Sequence, residues 1–241
     1  MTNRIALIAP MPNELRPLVK MLGLTRTGAL GEYPIYSGRR GEAEIIATRT
    51  GIGPQLATEA TERLLQSTDV DRVIVSGIAG GIEPLTAVGD LVVPEEVVDS
   101  ANGERFRATP VAGVTPKGII RMGGEDDYRL TPDDLTRLKS EGVVALDMET
   151  AAIARECAKR GVPWIAFRSI SDMAGDETIG DVVMTLVNPD GSPKLGASLR
   201  FLLTHPQRIP RMMRLARDAN AACMAAAKAA VSVGMPAEHN G

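Results

Sequence analysis

Short apolar segments alternate with longer amphipathic segments over most of the chain. Five segments are apolar or β-branched at nearly every position, and they lie at residues 4–9, 43–48, 72–77, 143–146 and 164–170. Runs that are apolar without alternation predict strands covered on both faces of a sheet. With helical signals between them, they predict a single α/β domain with a central mixed, largely parallel twisted sheet flanked by helices.

The helical segments between these strands have recognisable ends. Asn13 and Thr131 are candidate N-caps, and Thr131 is followed by a proline and two acids, which favour a first helical turn. Gly161 is placed to end a helix, because glycine readily adopts the left-handed conformation common at that position. Helices are therefore predicted over residues 13–22, 54–67, from 131 onward and 148–160.

The C-terminal part of the chain differs in composition from the rest. Residues 194–218 contain six Lys and Arg and a single acid among apolar residues, and an alanine-rich stretch follows over 219–232. We therefore predict an α/β domain over residues 1–190 and a helical extension over 191–241. Helices packed on the domain, with arginines at the edge, are one interpretation of this extension, and a segment that contacts a lipid surface is the other.

Composition and charge exclude several classes of protein. The 241 residues include 27 Lys and Arg against 30 Asp and Glu, so bulk charge gives no reason to expect nucleic-acid binding. Two cysteines and two histidines are too few for a disulfide framework or a His-rich metal centre. Neither a spanning helix nor a signal peptide is predicted. We expect a cytoplasmic protein that needs no metal and no cofactor.

Candidate chemistry follows the predicted strands, because ligands of open α/β sheets bind beyond the carboxyl ends of the strands. Residues 50–54 and 77–81 are rich in glycine and are predicted to be turns, in which backbone N–H groups can approach a ligand. Neither segment fits the dinucleotide fingerprint or the P-loop. Glu14, Glu149 and Asp172 follow three other strands. We expect these three carboxylates to lie at one edge of the sheet.

Five segments together resemble the nucleoside phosphorylase and nucleosidase family. They are APMPNEL, TGIGP, SGIAGGIEPLTAVGDLVVPEE, ALDMETAAIA and VPWIAFRSISDMAGDE. The well-known members that the chain resembles most are the methylthioadenosine/S-adenosylhomocysteine nucleosidases. The resemblance implies the fold predicted above, a homo-oligomer, and cleavage of the N-glycosidic bond of a purine nucleoside, with a 5′-modified adenosine as the expected substrate.

The resemblance also implies a role for each matching residue. Asp172 matches the general acid that protonates N7 of the base, and Glu14 matches the glutamate that activates water, at a site that Arg168 helps to hold. Arg168 as a purely structural ion-pair partner is the alternative. The expected substrate contacts are Glu149 on the ribose hydroxyls, Met148 against the sugar, Ser171 in support of the acid, Met11 near the 5′ substituent, Ala79 and Gly80 in the glycine-rich stretch, and Tyr128 stacked on the purine.

Departures from the family pattern leave alternatives open. Ile78 stands where the family carries Ser or Thr, and the position of the phosphorylase arginine is apolar, so a phosphate dianion would be poorly held. Hydrolysis is therefore favoured over phosphorolysis, for which Arg16 or Arg49 would have to supply the cation. The segment 90–124 is shorter than in the nucleosidases, and the chain also resembles a hopanoid-associated branch thought to act on an adenosylated lipid. A nucleoside-binding protein without activity is the remaining alternative.

Overall fold

Strands and helices alternate along the chain in a computed structural model, which describes residues 3–123, 130–175, 186–192, 194, 196, 200, 201 and 204–234. The strands are β1 (Arg4–Ala9), β2 (Thr25–Leu30), β3 (Tyr33–Arg40), β4 (Ala43–Arg49), β5 (Arg72–Gly81), β6 (Leu91–Val92), β7 (Glu96–Asp99), β8 (Arg105–Arg107), β9 (Ile119–Met122), β10 (Val143–Asp147) and β11 (Trp164–Met173). The α-helices are α1 (Pro12–Met21), α2 (Pro54–Ser67), α3 (Pro132–Ser140), α4 (Thr150–Arg160) and α5 (Ile209–Ser232).

The strands form one mixed sheet in the order β2-β3-β4-β1-β5-β10-β9-β7-β8, and β11 pairs with β5 and with the short β6. Its centre is parallel, because β1 pairs in parallel with β4 and β5, and β5 pairs in parallel with β11. The outer hairpins and the contact of β10 with the end of β5 are antiparallel. This arrangement confirms the predicted α/β fold, and it brings the carboxyl ends of β1, β4, β5 and β11 to one edge.

Strands β5 and β11 extend further than the sequence predicts. The glycine-rich stretch 77–81 was expected to be a turn, but it continues β5 and pairs with Arg168 to Met173 of β11. Asp172 therefore lies within a strand, just beyond a shift in register after Ile170. Glycine is needed here because the neighbouring side chains are close: a Cβ on Gly81 would lie 2.8 Å from a methyl carbon of Ile170.

Most helix boundaries agree with the sequence pattern, but α1 begins earlier than predicted. Its N-cap is Met11 and its first residue is Pro12, so Asn13 lies inside the helix and is not its cap. Helix α2 has the predicted bounds, and Thr131 caps α3 by accepting a hydrogen bond from the Asp134 amide. Helix α4 starts at residue 150, two residues later than expected, and ends at Gly161 in the left-handed conformation.

The sequence pattern did not predict the outer strands. Strand β2 has no buried residue, and β8 alternates between exposed and half-buried positions, so neither carries a continuous apolar run. These strands form by pairing at the edges of the sheet, where one face is open to water. The prediction of secondary structure from apolar runs therefore found β1, β4, β5, β10 and β11, and it missed the strands that flank them on both sides of the sheet.

Helix α5 spans the boundary at residue 219 that composition suggests, as one continuous helix. Its first half, up to residue 221, has no fully buried residue. Its second half packs on the sheet, with Ala227 and Ala230 in the same buried cluster as Leu7 of β1 and Phe167 of β11. Among the described residues, no helix is both long and apolar enough to cross a membrane.

Candidate active site

A single arginine with no exposed surface lies at the polar centre of the molecule. Arg168, in the middle of β11, places its guanidinium 2.9 Å from Asp147, 3.5 Å from Glu149 and 3.9 Å from Glu14, measured to the nearest oxygen of each. All three carboxylates are themselves buried. Two of the three carboxylates predicted to lie together, Glu14 and Glu149, therefore meet at Arg168, and Asp147 is a third that the sequence analysis did not single out.

The position of Glu14 follows from where α1 begins. Because Met11 is the N-cap, Glu14 is the third residue of the helix, from which its carboxylate reaches back to accept the Met11 amide proton at 2.7 Å. Its other oxygen accepts a hydrogen bond from the Ile78 amide of β5 at 2.8 Å. Glu14 is thus held between the end of β1 and the far part of β5.

Gly77 of β5 leaves the space in which Glu14 and Arg168 meet. A Cβ built on Gly77 would lie 2.5 Å from the Glu14 Oε1 and would also collide with the guanidinium of Arg168. The carbonyl of the next residue, Ile78, accepts a hydrogen bond from Arg168 at 3.2 Å. The polar centre therefore depends on a residue without a side chain in the middle of a buried strand.

Asp147 is the last residue of β10, and Glu149 follows two residues later as the N-cap of α4. Glu149 accepts a hydrogen bond from the Gly53 amide at 3.0 Å, which links it to the start of α2. Asp147 accepts the backbone amide protons of Glu149 and Thr150 at 3.3 and 3.2 Å, together with the Thr150 hydroxyl proton. These bonds fix the turn that points Glu149 toward Arg168.

Burial of three carboxylates around one guanidinium raises the affinity of the glutamates for protons. Desolvation raises the pKa of Glu14 to about 7, although the positive charge of Arg168 and two backbone hydrogen bonds act in the opposite direction. Desolvation also raises the pKa of Glu149 well above its ordinary value, and the nearby Asp147 adds to the shift, while Arg168 opposes it. Both glutamates are therefore able to exchange protons near neutral pH.

Asp172 lies on the same strand as Arg168, four residues further along. It is half-buried and accepts a hydrogen bond from the buried hydroxyl of Ser171. Its partner in β5 is Gly80, and the Asp172 Oδ2 lies 3.7 Å from where a Cβ on Gly80 would be. The space beside the carboxylate is thus bordered by backbone. Ala79, the preceding residue of β5, is buried in the hydrophobic core.

A pocket of about 530 Å³ opens beside Glu149. Gly53, which donates to Glu149, and the neighbouring Met148 both line it. The lining residues are Ile52, Gly53, Pro54, Gln55, Leu56, Met148, Val187, Asn188, Pro189 and Lys194. Its size and mixed lining suit a small organic molecule.

Other predicted residues lie around this centre or outside the described residues. Met11 is half-buried and packs against Gly191, on which a Cβ would overlap the Met11 side chain. Arg49 forms an ion pair with Asp190 at 3.2 Å, and Arg16 is exposed on α1. Tyr128 lies outside the residues that the structure describes. In the described part of the chain, no three His, Cys, Asp or Glu side chains are grouped as metal ligands.

Sequence reasoning missed three residues that build the centre. Asp147, Thr150 and Gly77 all lie within the segments that resemble the family, but the sequence pattern predicts no role for any of them. A signal for Asp147 was available, because an acid at the end of an apolar strand must find a partner when it is buried. The position of Gly77 against Arg168 depends on the register of β5 and β11, which the sequence does not give.

Buried carboxylates, an arginine and a pocket for a small molecule meet near the carboxyl ends of the parallel central strands of a mixed sheet, and this combination is typical of an α/β enzyme. The chain belongs to the Phosphorylase superfamily, whose family model matches residues 4–133 and 120–188.

The relatives agree with this assignment, and the solved structures agree with the fold. The 5′-methylthioadenosine/S-adenosylhomocysteine nucleosidase of Aeromonas salmonicida is 30% identical over 206 residues, 73% of this chain and 89% of that protein. The same enzyme of Tolumonas auensis is 29% identical over 203 residues, 73% of this chain and 88% of that protein. Among solved structures, the futalosine hydrolase of Helicobacter pylori superposes with a TM-score of 0.70 and 21% identity, over 95% of each chain. The 5′-methylthioadenosine/S-adenosylhomocysteine nucleosidase of Helicobacter pylori superposes with a TM-score of 0.69 and 20% identity, over 94% of this chain and 95% of that chain.

Proposed function

We propose that this protein hydrolyses the N-glycosidic bond of a purine nucleoside, with a 5′-modified adenosine as substrate. The observation that carries the proposal is the meeting of Glu14 and Glu149 at Arg168, with Asp172 on the same strand and a pocket beside Glu149. Cleavage of this bond puts positive charge on the sugar and negative charge on the departing base. An ionised carboxylate can stabilise the positive charge on the sugar, and a protonated one can donate a proton to the departing base. The similarity to nucleosidases also supports this reaction.

Asp172 is the proposed general acid. Its half-buried position beside Gly80 leaves an approach for a purine edge, and the hydrogen bond from Ser171 orients its carboxyl group. In this role Asp172 donates a proton to N7 as the bond breaks, so that the base leaves without a full negative charge.

Glu149 and Glu14 are proposed to act on the sugar and on water. Glu149 lies between Arg168 and the pocket, where its second oxygen can accept a hydrogen bond from the ribose hydroxyls, and Met148 lines the same pocket. Glu14, with a pKa of about 7, is suited to take a proton from the attacking water. Arg168 positions both carboxylates and opposes the cost of their burial.

Base release from a panel of nucleosides tests the proposal. Adenosine, methylthioadenosine, S-adenosylhomocysteine and inosine are incubated with the protein, and free base is measured. We expect adenine from at least one 5′-modified adenosine. Asp172→Asn should still bind that substrate but lower kcat by about 10²- to 10⁴-fold, the usual contribution of a general acid. Equal activity of this variant, or no base released from any nucleoside, contradicts the proposal.

Phosphorolysis is the competing reaction. It requires a cation for phosphate, but Arg168 is already engaged by three carboxylates and Arg49 by Asp190. Ile78 offers no hydroxyl, and its amide and carbonyl are both used by Glu14 and Arg168. We therefore expect undiminished turnover in phosphate-free buffer, whereas a strict requirement for phosphate would favour the phosphorylase.

A protein that binds nucleosides without cleaving them is the third candidate. A binder needs no proton donor beside the base and no glutamate whose pKa lies near 7 in a buried site. A ligand that binds tightly to the intact protein and is recovered unchanged after long incubation would favour this candidate over the enzyme.

We also propose that the first half of α5 is a surface for contact with lipid. Arg211, Arg214 and Arg217 are exposed there, and the Met213 side chain is 69% exposed. Basic and apolar side chains on one helix suit an anionic lipid surface. Co-sedimentation with anionic vesicles should weaken in a Met213→Gln, Arg214→Gln variant and persist in Met224→Gln of the same helix. Truncation of the extension is a poor test, because the second half of α5 is part of the core.

A homo-oligomer and a cytoplasmic location stay predictions from the resemblance and from the sequence. Sedimentation velocity of the purified chain at several concentrations tests the first, and fractionation of cells tests the second.

A further inference from the structure

Asp147 and Thr150 hold the guanidinium of Arg168 on the side of α4. Of the three ion pairs described above, that of Arg168 with Asp147 is the shortest. The Thr150 hydroxyl accepts hydrogen bonds from Arg168 Nε at 3.1 Å and Nη2 at 2.8 Å, and it donates its own proton to Asp147. These bonds use the one donor and both acceptor positions of a hydroxyl group. One edge of the guanidinium is therefore fixed by buried side chains.

The same contacts keep Arg168 at a distance from Glu14. The closest atoms of the two side chains, Nη1 and Oε1, are 3.9 Å apart, which is beyond the length of a hydrogen bond. Nη1 donates instead to the Ile78 carbonyl at 3.2 Å. The Met11 and Ile78 amides supply hydrogen bonds to Glu14. Among the described contacts, the carboxylate and the guanidinium are thus neighbours without a direct hydrogen bond.

The charges of this buried centre do not balance. One guanidinium faces three buried carboxylates, so it cannot neutralise them all. Desolvation by burial raises the pKa of Glu14 to about 7, while the positive charge of Arg168 opposes this shift and the negative charge of Asp147 adds to it. How closely Arg168 approaches Glu14 therefore decides how strong a base Glu14 is.

Groups on the helices around Glu14 do not supply a second cation. Within the described part of the chain, Glu149 at the start of α4 and the buried thiol of Cys223 on α5 also face Glu14. Burial raises the pKa of both groups, and neither can carry a positive charge. In this part of the chain, the positive charge that acts on Glu14 is therefore that of Arg168.

We propose that Asp147 is a positioning residue of the hydrolysis: together with Thr150 it holds Arg168 away from Glu14, so that Glu14 stays basic enough to take a proton from water. The proposal rests on the proposed function, in which Glu14 is the base. A guanidinium released from Asp147 can turn toward Glu14 and form a direct, charge-assisted hydrogen bond with it. A carboxylate engaged in this way is a weak base, because the contact stabilises its ionised form.

The pH dependence of adenine release tests this role, on methylthioadenosine or S-adenosylhomocysteine, whichever the wild type cleaves faster. Asp147→Asn keeps the shape of the side chain and removes its charge. The loss of a negative charge and the release of Arg168 both favour ionised Glu14. The rise of kcat/KM should therefore move to lower pH, by about one unit or more. The plateau of kcat should also fall, because a weaker base accepts a proton less readily.

Thr150→Val provides a second test, which holds even if Asp147→Asn does not fold. Valine has nearly the shape of threonine, and the charge of Asp147 stays in place, but the hydroxyl that bonds Arg168 Nε and Nη2 is lost. The rise of kcat/KM should move in the same direction by a smaller amount. Thr150→Ser returns the hydroxyl and should restore the wild-type midpoint.

Asp99→Asn is the matched control for the loss of a buried ion pair. Asp99 is also a buried aspartate, on the outer strand β7, and it pairs with Arg155 of α4. Loss of this pair should lower the free energy of unfolding in urea. The midpoint of the pH profile should stay at the wild-type value.

The proton affinity of Glu14 is also measurable without turnover. The stability difference between Glu14→Gln and its parent depends on pH through the pKa of Glu14, and this dependence should be smaller in a Thr150→Val background than in the wild type. An unchanged midpoint in both Asp147→Asn and Thr150→Val overturns the proposal, as does an equal shift in Asp99→Asn. A wild type that releases no base contradicts the proposed function instead, and the stability measurement then decides whether this cluster sets the proton affinity of Glu14.

Discussion

Glu14 and Glu149 share Arg168 but receive different backbone hydrogen bonds, and this difference separates their expected roles. Glu14 accepts two amide protons, from Met11 and Ile78, and is enclosed by α1 and β5. Glu149 accepts one, from Gly53, and lies next to the pocket. Burial raises the pKa of both glutamates, so their pKa values do not separate the two roles. Position does, because the group that contacts the sugar must lie beside the pocket, as Glu149 does, which leaves the activation of water to Glu14.

The pH dependence of activity should report the proton on Glu14. Its pKa is raised to about 7, so the base form is absent at low pH and present above neutrality. We expect kcat/KM for adenine release to rise with pH through an apparent pKa near 7. Glu14→Gln should lower kcat by about 10²- to 10⁴-fold.

The pH profile of the residual activity of Glu14→Gln checks that Glu14 is the titrating group. If Glu14→Gln retains the rise near pH 7, the titrating group is a different residue. Glu14→Asp keeps the carboxyl group but shortens the side chain, and it should recover only part of the activity.

At the scale of elements, β5 and β11 bring the site together because glycines let their side chains and backbones approach. Arg168 pairs with Gly77 and Asp172 with Gly80, so the arginine and the aspartate of β11 each lie opposite a glycine of β5. From the sequence alone these glycines predict a turn, because turns after strands often need the positive φ that glycine allows. Their register shows the physical reason for them, which is space for the charged side chains of the neighbouring strand.

Substitution of Gly77 by alanine should damage the site more than the fold. The new methyl group would lie 2.5 Å from the Glu14 Oε1 and would displace both this carboxylate and Arg168. We expect the free energy of unfolding to fall by about 2 kcal/mol, as for an overpacked core. The rate of adenine release should fall by a much larger factor. Denaturant unfolding and base release measure the two effects.

Gly28→Ala is the matched control for this substitution. Gly28 is also a strand glycine, in the exposed β2, and a Cβ there would have no atom within 4 Å. It should leave stability and activity close to the wild type. Wild-type activity in Gly77→Ala would contradict the placement of Glu14 and Arg168 beside this strand.

At the scale of the whole molecule, the buried carboxylates make stability depend on pH. The folded state keeps a proton on Glu14 up to about pH 7, whereas the unfolded chain loses it near the ordinary value of 4.5. Between these values the folded state binds more protons, so the free energy of unfolding falls as the pH rises. For Glu14 alone the change amounts to roughly 3 kcal/mol.

Urea unfolding between pH 4 and pH 8 tests this linkage. The stability of the wild type relative to Glu14→Gln should decrease by about that amount as the pH rises. Glu42→Gln, which changes an exposed carboxylate in the turn between β3 and β4, is the control and should follow the wild type. A difference between the wild type and Glu14→Gln that is independent of pH would show that folding leaves the pKa of Glu14 unchanged.

The sequence by itself determined the central strands, most helix ends and the family, because continuous apolar runs, caps and motif order are local properties of the chain. It also determined which carboxylates to consider. Only the tertiary structure decided that Asp147 joins Glu14 and Glu149 around Arg168, since residues distant in sequence meet through the register of β5, β10 and β11. The same holds for the pocket beside Glu149, because residues 52–56 and 187–194 form its walls only through distances in space that no local pattern encodes.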